Sequence, residues 1–504
     1  MTFSQDPVHT ESGLLRGTPA GRDSVTVFKG IPYAATTAGE NRWRPPQPPE
    51  PWEGVRVADS FGDISPQHDD VPVAGRDGIG RSENCLNLNI WTGAASAGER
   101  RPVLVWVHGG RFLFGHGSDP NYDGTALADK GLVVVTLNYR TGVFGYLATP
   151  ELSAESGQGG SGNYGLLDIV AALRWVRRNI AGFGGDPDRV TLAGQSSGGA
   201  STLDLIYSPL AKGLFHRAIV HSAALYPKDP AISTLSPSHR SLAQAEADGA
   251  AFGAARGATT LAELRALPVE KLLEGSDVND TSLPGNPPPP LFRPVIDGWV
   301  LPADYWTTLD SGAQNQVDVL TGNNLDESGA KPRQDIALAE YESRARARYG
   351  DMADEFLRLY PAATDEEAGD QLNASLREAT RLSTYFWALL WGRKAKTPVY
   401  TYYWTHVPPG EEGTARGAYH GSEINYFLDT LADADAEERR IAEKLSGCVV
   451  NFAASGDPGL PNWQTVSADS QTTLQVGDGW RPMPLADDAK AEFFQRFFET
   501  QKAW

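Results

Sequence analysis

The sequence predicts an α/β fold in which a large, mostly parallel central sheet is flanked by helices. Two patterns carry that expectation. Short runs of strand character recur at 102–107, 132–138, 190–193, 217–221, 317–322 and 399–404. Helical patterns lie between several of them, and strands that alternate with helices build a parallel sheet covered on both faces. A third observation singles out one strand end, where Val190-Thr191-Leu192-Ala193 runs into Gly194-Gln195-Ser196-Ser197-Gly198-Gly199. A strand, a Gly-x-Ser-x-Gly turn and small residues that open a helix make a nucleophile elbow.

The elements follow in order. The run at 102–107 leads into His108-Gly109-Gly110-Arg111-Phe112, and 132–138 supplies the next strand. Leu166, Leu167, Ile169, Val170, Leu173, Val176 and Ile180 recur at helical spacing, with Arg174, Arg177 and Arg178 elsewhere on the wheel. The strand at 190–193 ends at the elbow, and 217–221 comes next. The Glu- and Ala-rich stretch 242–273 reads as helices inserted outside the sheet, placed to wall a pocket. The Pro-rich segment 283–290 reads as an extended surface loop. Strands at 317–322 and 399–404 complete the series. Length alone would divide 504 residues into about three domains. With no internal repeat and no long low-complexity linker, residues 1–504 read as one domain with a helical elaboration around 240–400.

Composition narrows the function classes. Hydrophobic residues make up 40% of the chain, enough for a substantial core. The net charge of −19 argues against a nucleic-acid partner, because phosphate contacts need a basic face. No stretch reaches the roughly 18 apolar residues of a membrane span, and the first residues lack the basic start and apolar run of a secretory signal. Cys85 and Cys448 stand far apart, and no metal-ligand cluster is visible. A cytoplasmic protein without metal or cofactor is expected.

A serine hydroxyl is a poor nucleophile unless a base takes its proton and an acid orients that base. After an elbow serine the order is acid and then histidine, each on a loop beyond a strand end. Downstream of Ser196 lie His216, His221, His239, His406 and His420. The first falls just before a strand, the second precedes any plausible acid, and the third sits in a polar insertion. His420, in Gly417-Ala418-Tyr419-His420-Gly421, occupies a Gly-flanked loop after the 399–404 strand and is the expected base, with His406 the runner-up. The strand at 317–322 leaves the sheet into a turn carrying Asp326 and Glu327, and local sequence does not choose between them. The consecutive glycines after 102–107 let backbone N–H groups converge on one oxygen. Donors are expected from Gly109, Gly110 or Arg111, joined by the N–H of Ser197.

With these motifs assembled, the chain resembles the type-B carboxylesterase/lipase family. The likeness covers nearly the whole chain. It includes Phe28-Lys29-Gly30-Ile31-Pro32-Tyr33-Ala34, Arg42-Trp43-Arg44-Pro45-Pro46, Glu83-Asn84-Cys85-Leu86-Asn87-Leu88-Asn89-Ile90-Trp91, Asn163-Tyr164-Gly165, Phe183-Gly184-Gly185-Asp186-Pro187 and Phe292-Arg293-Pro294. The resemblance implies an α/β-hydrolase fold whose helical insertions form a gorge. It implies a nucleophile at Ser196, a base at His420 and an acid at Glu327 rather than Asp326. Its oxyanion donors fall on Gly110, Arg111 and Ser197, with Gly109 shaping the turn. The implied reaction is hydrolysis of a small-molecule ester through an acyl-enzyme. Transfer of the acyl group to an alcohol or amine is the alternative, and a non-catalytic binding protein a more distant one.

Four positions depart from the family's usual pattern. Gln195 replaces a Glu before the nucleophile, and Ser197 replaces an Ala after it. Arg111 replaces the third glycine of a Gly-Gly-Gly run, so a cation suited to an anionic group near the acyl carbon stands beside the hole. Ser65 stands where many relatives carry the disulfide partner of the cysteine equivalent to Cys85, which fits a reducing compartment.

Overall fold

The computed structural model describes residues 7–504 except 23, 69–72, 236, 286 and 328. Eleven strands form one mixed sheet. In chain order they are β1 (Thr18–Pro19), β2 (Thr26–Pro32), β3 (Asn87–Thr92), β4 (Arg101–Val107), β5 (Val133–Leu137), β6 (Gly185–Gln195), β7 (Arg217–His221), β8 (Asp318–Asn324), β9 (Val399–Trp404), β10 (Thr472–Val476) and β11 (Arg481–Pro484). Across the sheet the order is β11-β10-β9-β8-β7-β6-β4-β5-β3-β2-β1. From β5 through β10 every pair is parallel. Antiparallel strands close both edges.

The six strands expected from sequence are the central parallel ones, and the reason is burial on both faces. On β4, Val103, Val105 and Val107 point into one core while Leu104 and Trp106 point into the other. Val133, Val135 and Leu137 against Val134 on β5 repeat this division, as do Ala218 and Val220 against Ile219 on β7. The edge strands escaped the reading. β1 has two residues, and β10 and β11 are short and partly exposed, so none makes an apolar run.

Helices complete each core. Helix α1 (Tyr164–Asn179) sends Leu166, Ile169, Leu173 and Val176 into the first core, while Arg174, Arg177 and Arg178 stay exposed. Helix α2 (Ser197–Tyr207) starts at the elbow and is buried throughout. Helix α3 (Leu242–Ala254), with two shorter helices after it, occupies the expected 242–273 insertion. Helices α4 (Leu338–Tyr349) and α5 (Asp365–Lys394) fill the excursion between β8 and β9. Helix α6 (Ala436–Ser455) packs Ile441, Leu445, Val449 and Phe452 into the second core. Beneath the sheet's C-terminal ends, Asp168 of α1 receives Arg140 Nη2 at 2.6 Å and Nε at 2.8 Å, both side chains buried.

Candidate active site

Strand β6 ends at Gln195 and α2 begins at Ser197, so one residue must reverse the chain. That residue is Ser196, at φ 57° and ψ −126°. A non-glycine residue in this region carries strain, which the surrounding packing must hold. The flanking glycines show how tight the turn is. A Cβ on Gly198 would stand 2.1 Å from the Val107 carbonyl, and one on Gly194 would stand 2.4 Å from the Gly198 carbonyl. Strand β7 anchors the bend, because the Ser196 amide donates to the His221 carbonyl at 3.1 Å.

The glycine turn after β4 lies against this serine. A Cβ on Gly109 would come within 3.3 Å of Ser196 Cβ. Gly110, Arg111 and Phe112 all take positive φ, and the Gly110 carbonyl accepts from the amides of Leu113 and Phe114. His108 braces the turn: its ring stacks on Tyr139 with centroids 4.3 Å apart, and its carbonyl accepts from the Tyr139 hydroxyl at 2.8 Å. Burial pushes the His108 imidazole down to about 3, so it stays neutral. The Gly109 backbone lies close enough to the Tyr122 hydroxyl to offset part of the burial that raises the Tyr122 pKa. Among the described residues no acceptor takes the amides of Gly110 and Arg111. The Ser197 amide belongs to the first turn of α2, whose N–H groups have no partner within the helix.

The two carboxylates after β8 part company. Asp326 binds Arg377 of α5, and its other oxygen accepts the Ala418 amide at 2.9 Å. Glu327 Oε2 lies 2.8 Å from His420 Nδ1, while Oε1 accepts from the Ser222 hydroxyl at 2.8 Å and from the Asn324 amide. The loop bearing His420 is therefore clamped onto the turn bearing Glu327. The Asp326 amide donates to the Ala418 carbonyl at 3.0 Å, and Asn324 Nδ2 donates to the Tyr419 carbonyl at 2.7 Å. Gly417 makes the approach possible, since a Cβ there would fall 2.0 Å from Asp326 Oδ2.

His420 Nε2 meets Gln195 Nε2 at 3.0 Å, and no hydrogen bond joins it to Ser196 in this state. With Nδ1 donating to the carboxylate, Nε2 carries the lone pair and accepts from the Gln195 amide. Burial, the largest influence, disfavours the imidazolium. The hydrogen bond and charge of Glu327, helped by Glu423, outweigh it and raise the His420 pKa above its ordinary value. The ring is nonetheless 45% exposed, because it opens onto a cavity within the protein. Behind it, buried Glu423 accepts from Asn324 Nδ2 and is pushed up to about 7 by burial and the nearby Glu327 charge.

The other histidines are engaged elsewhere. His406 is held between Asp478 at 2.6 Å and Glu438 at 2.7 Å, and His216 accepts from the Val190 amide. His221 bonds the Tyr402 hydroxyl, and His239 bonds Asp204.

Ser196, Glu327, His420 and Arg111 share one cavity of about 580 Å³. Its walls differ from those expected. The helices of 242–273 do not line it; Leu225, Pro230 and Leu235, Pro287 and Pro289, and Leu376 and Thr380 of α5 do. The Pro-rich 283–290 loop is thus part of the cavity rather than plain surface. Sequence reasoning also missed Ser222, whose hydroxyl holds Glu327. Its left-handed φ of 55°, just past the end of β7, leaves no mark in the sequence. Among the described residues no group of three or more His, Cys, Asp or Glu could hold a metal ion, and no helix is long and apolar enough to cross a membrane.

Comparison with known proteins gives a consistent picture. The sequence pattern of the carboxylesterase family matches residues 4–492. The chain is 36% identical to fumonisin B1 esterase of Sphingopyxis macrogoltabida over 476 residues, covering 89% of this chain and 82% of that one. It is 32% identical to para-nitrobenzyl esterase of Bacillus subtilis, covering 98% and 99%. Among solved structures, a PNB esterase superposes with a TM-score of 0.79 at 30% identity, covering 97% of this chain and 99% of the other.

Proposed function

The chain belongs to the carboxylesterase family and is a carboxylic ester hydrolase with an α/β-hydrolase fold; on that premise we propose that it acts through an acyl-enzyme on Ser196, with His420 as base and Glu327 as the acid that orients it. The observation that carries this reading is the meeting of three separate loops. The strained Ser196 faces Gly109, and the same cavity holds an imidazole whose Nδ1 is fixed 2.8 Å from Glu327.

The chemistry follows from the lone pair on Nε2. His420 exchanges its Gln195 partner for the neighbouring Ser196 hydroxyl and takes the proton as Oγ attacks the ester carbonyl. Negative charge develops on the carbonyl oxygen, where the uncommitted amides of Gly110 and Arg111 and the helix-terminal amide of Ser197 receive it. Each such donor is worth about 3 kcal/mol of barrier. The imidazolium returns its proton to the departing alcohol, and water then repeats the sequence on the acyl-enzyme. Glu327 stabilises the imidazolium and fixes its tautomer. Two free, buried cysteines fit a reducing, cytoplasmic setting.

Replacing Ser196 tests the assignment. Ser196→Ala should lower turnover of 4-nitrophenyl acetate by about 10⁴-fold or more, with the circular dichroism spectrum unchanged. Turnover at the original rate would reject Ser196 as nucleophile.

A further inference from the structure

The cavity around Ser196 is lined by two guanidinium groups, Arg111 and Arg348. Arg111 Nη2 donates to Asn279 Oδ1 at 3.1 Å and to the Pro288 carbonyl at 2.8 Å, both neutral acceptors. Its Nε and Nη1 make no hydrogen bond among the described residues, and no carboxylate there pairs with it. Burial pulls its pKa below the ordinary arginine value. Holding a cation partly out of water without a counter-ion is costly.

Elsewhere this chain avoids that cost. Buried Arg42 pairs with Glu83, Arg140 with Asp168 and Arg293 with Asp280. Arg348 of α4 is exposed, and its charge lies near enough to buried Asp229 to oppose the rise in that carboxyl's pKa. Its neighbours Arg344 and Arg346 pair with Glu340 and Asp354, whereas Arg348 makes no ion pair among the described residues. The carboxylates facing the cavity are already occupied. Glu327 serves Ser222, Asn324 and His420. Asp229 is buried, caps the Ala231 amide at 2.9 Å, and has its pKa raised by burial. A protein of net charge −19 therefore places one partly buried cation, Arg111, without an acidic partner among the described residues, where its substrate must lie.

We propose that the cavity selects esters with a free carboxylate on the acyl side, the half-esters of dicarboxylic acids. Arg111 receives the carboxylate, and Arg348 adds a favourable potential at the same cavity. This deepens the esterase reading above and rests on it. The acyl side follows from placement. His420 stands where the departing alcohol must collect its proton, whereas the Arg111 side chain starts from the residue whose amide faces the oxyanion. Guanidinium donors left open suit a planar carboxylate.

The test compares monoethyl succinate with ethyl 4-oxopentanoate, in which a neutral methyl ketone replaces the carboxylate, by ethanol release. The wild-type protein should favour the anion in kcat/KM by tenfold or more. Arg111→Gln should cut the anion-to-neutral ratio at least tenfold, Arg348→Gln several-fold, and Arg111→Lys should restore part of it. The ratio is read within each variant, so a general loss of activity from disturbing the glycine turn cancels. Added succinate should inhibit wild type competitively and the Arg111→Gln protein far less. Turnover of the neutral ester with no preference for the anion would overturn this inference and leave the esterase reading intact. Failure to hydrolyse either ester or 4-nitrophenyl acetate would overturn both.

Discussion

Gln195 sets the protonation logic of the site. An amide N–H facing His420 Nε2 at 3.0 Å requires an unprotonated nitrogen there, the form a general base must have. A carboxylate at the same place would require the opposite. The His420 pKa lies above the ordinary 6.5 because Glu327 and Glu423 favour the cation. The lone pair that the proposed mechanism needs is therefore lost as pH falls through that raised value. Plotted against pH, kcat/KM should rise along an acid limb whose midpoint lies above 6.5. Gln195→Glu should move that limb further up by adding a second negative partner at the ring. A limb that stays in place in this variant would mean that His420 Nε2 does not face residue 195 in the working enzyme.

Two loops, from β8 and from the segment after β9, assemble the element that carries the proposed acid and base. Asp326 holds them together, since it meets Arg377 of α5 on one side and the Ala418 amide on the other. Asp326→Ala should lower kcat about tenfold or more by letting the His420 loop drift, because small misplacements of a catalytic group are costly. Labelling of Ser196 by a phosphonate should slow in parallel, with far-ultraviolet circular dichroism unchanged. This is also where sequence was least decisive. The strand and turn around Asp326 and Glu327 were legible, but adjacent residues on a turn point in opposite directions. Local sequence left the choice open and the family resemblance pointed to Glu327; the register between the two loops turns Glu327 toward the imidazole. The meeting of His420 with this turn was legible because glycines flank the histidine and order places it last. Ser222 was not, because its role depends on a backbone twist after β7. The cavity walls were misjudged for a similar reason. Helical periodicity located the 242–273 helices but not their distance from the strand ends, whereas a Pro-rich segment without periodicity lines the site.

At the scale of the whole molecule, the six central parallel strands bury both faces and align their C-terminal ends, which places the β4, β6, β7, β8 and β9 loops around one cavity. The buried ion pair of Arg140 and Asp168 ties the loop after β5 to α1 beneath that rim. Central strands were readable because double burial writes continuous apolar runs; β2 and β3 break such a run with polar residues and glycine, and the remaining edge strands are short. The proposed chemistry depends on a strained serine at the end of β6 acting as the attacking group. Intact-mass and peptide mapping after treatment with diethyl 4-nitrophenyl phosphate tests this most directly. One diethylphosphoryl group on Ser196, with activity lost in proportion and labelling much slower in His420→Ala, is the expected result. Activity that survives full labelling of Ser196, or loss of activity with the adduct on another residue, would contradict it.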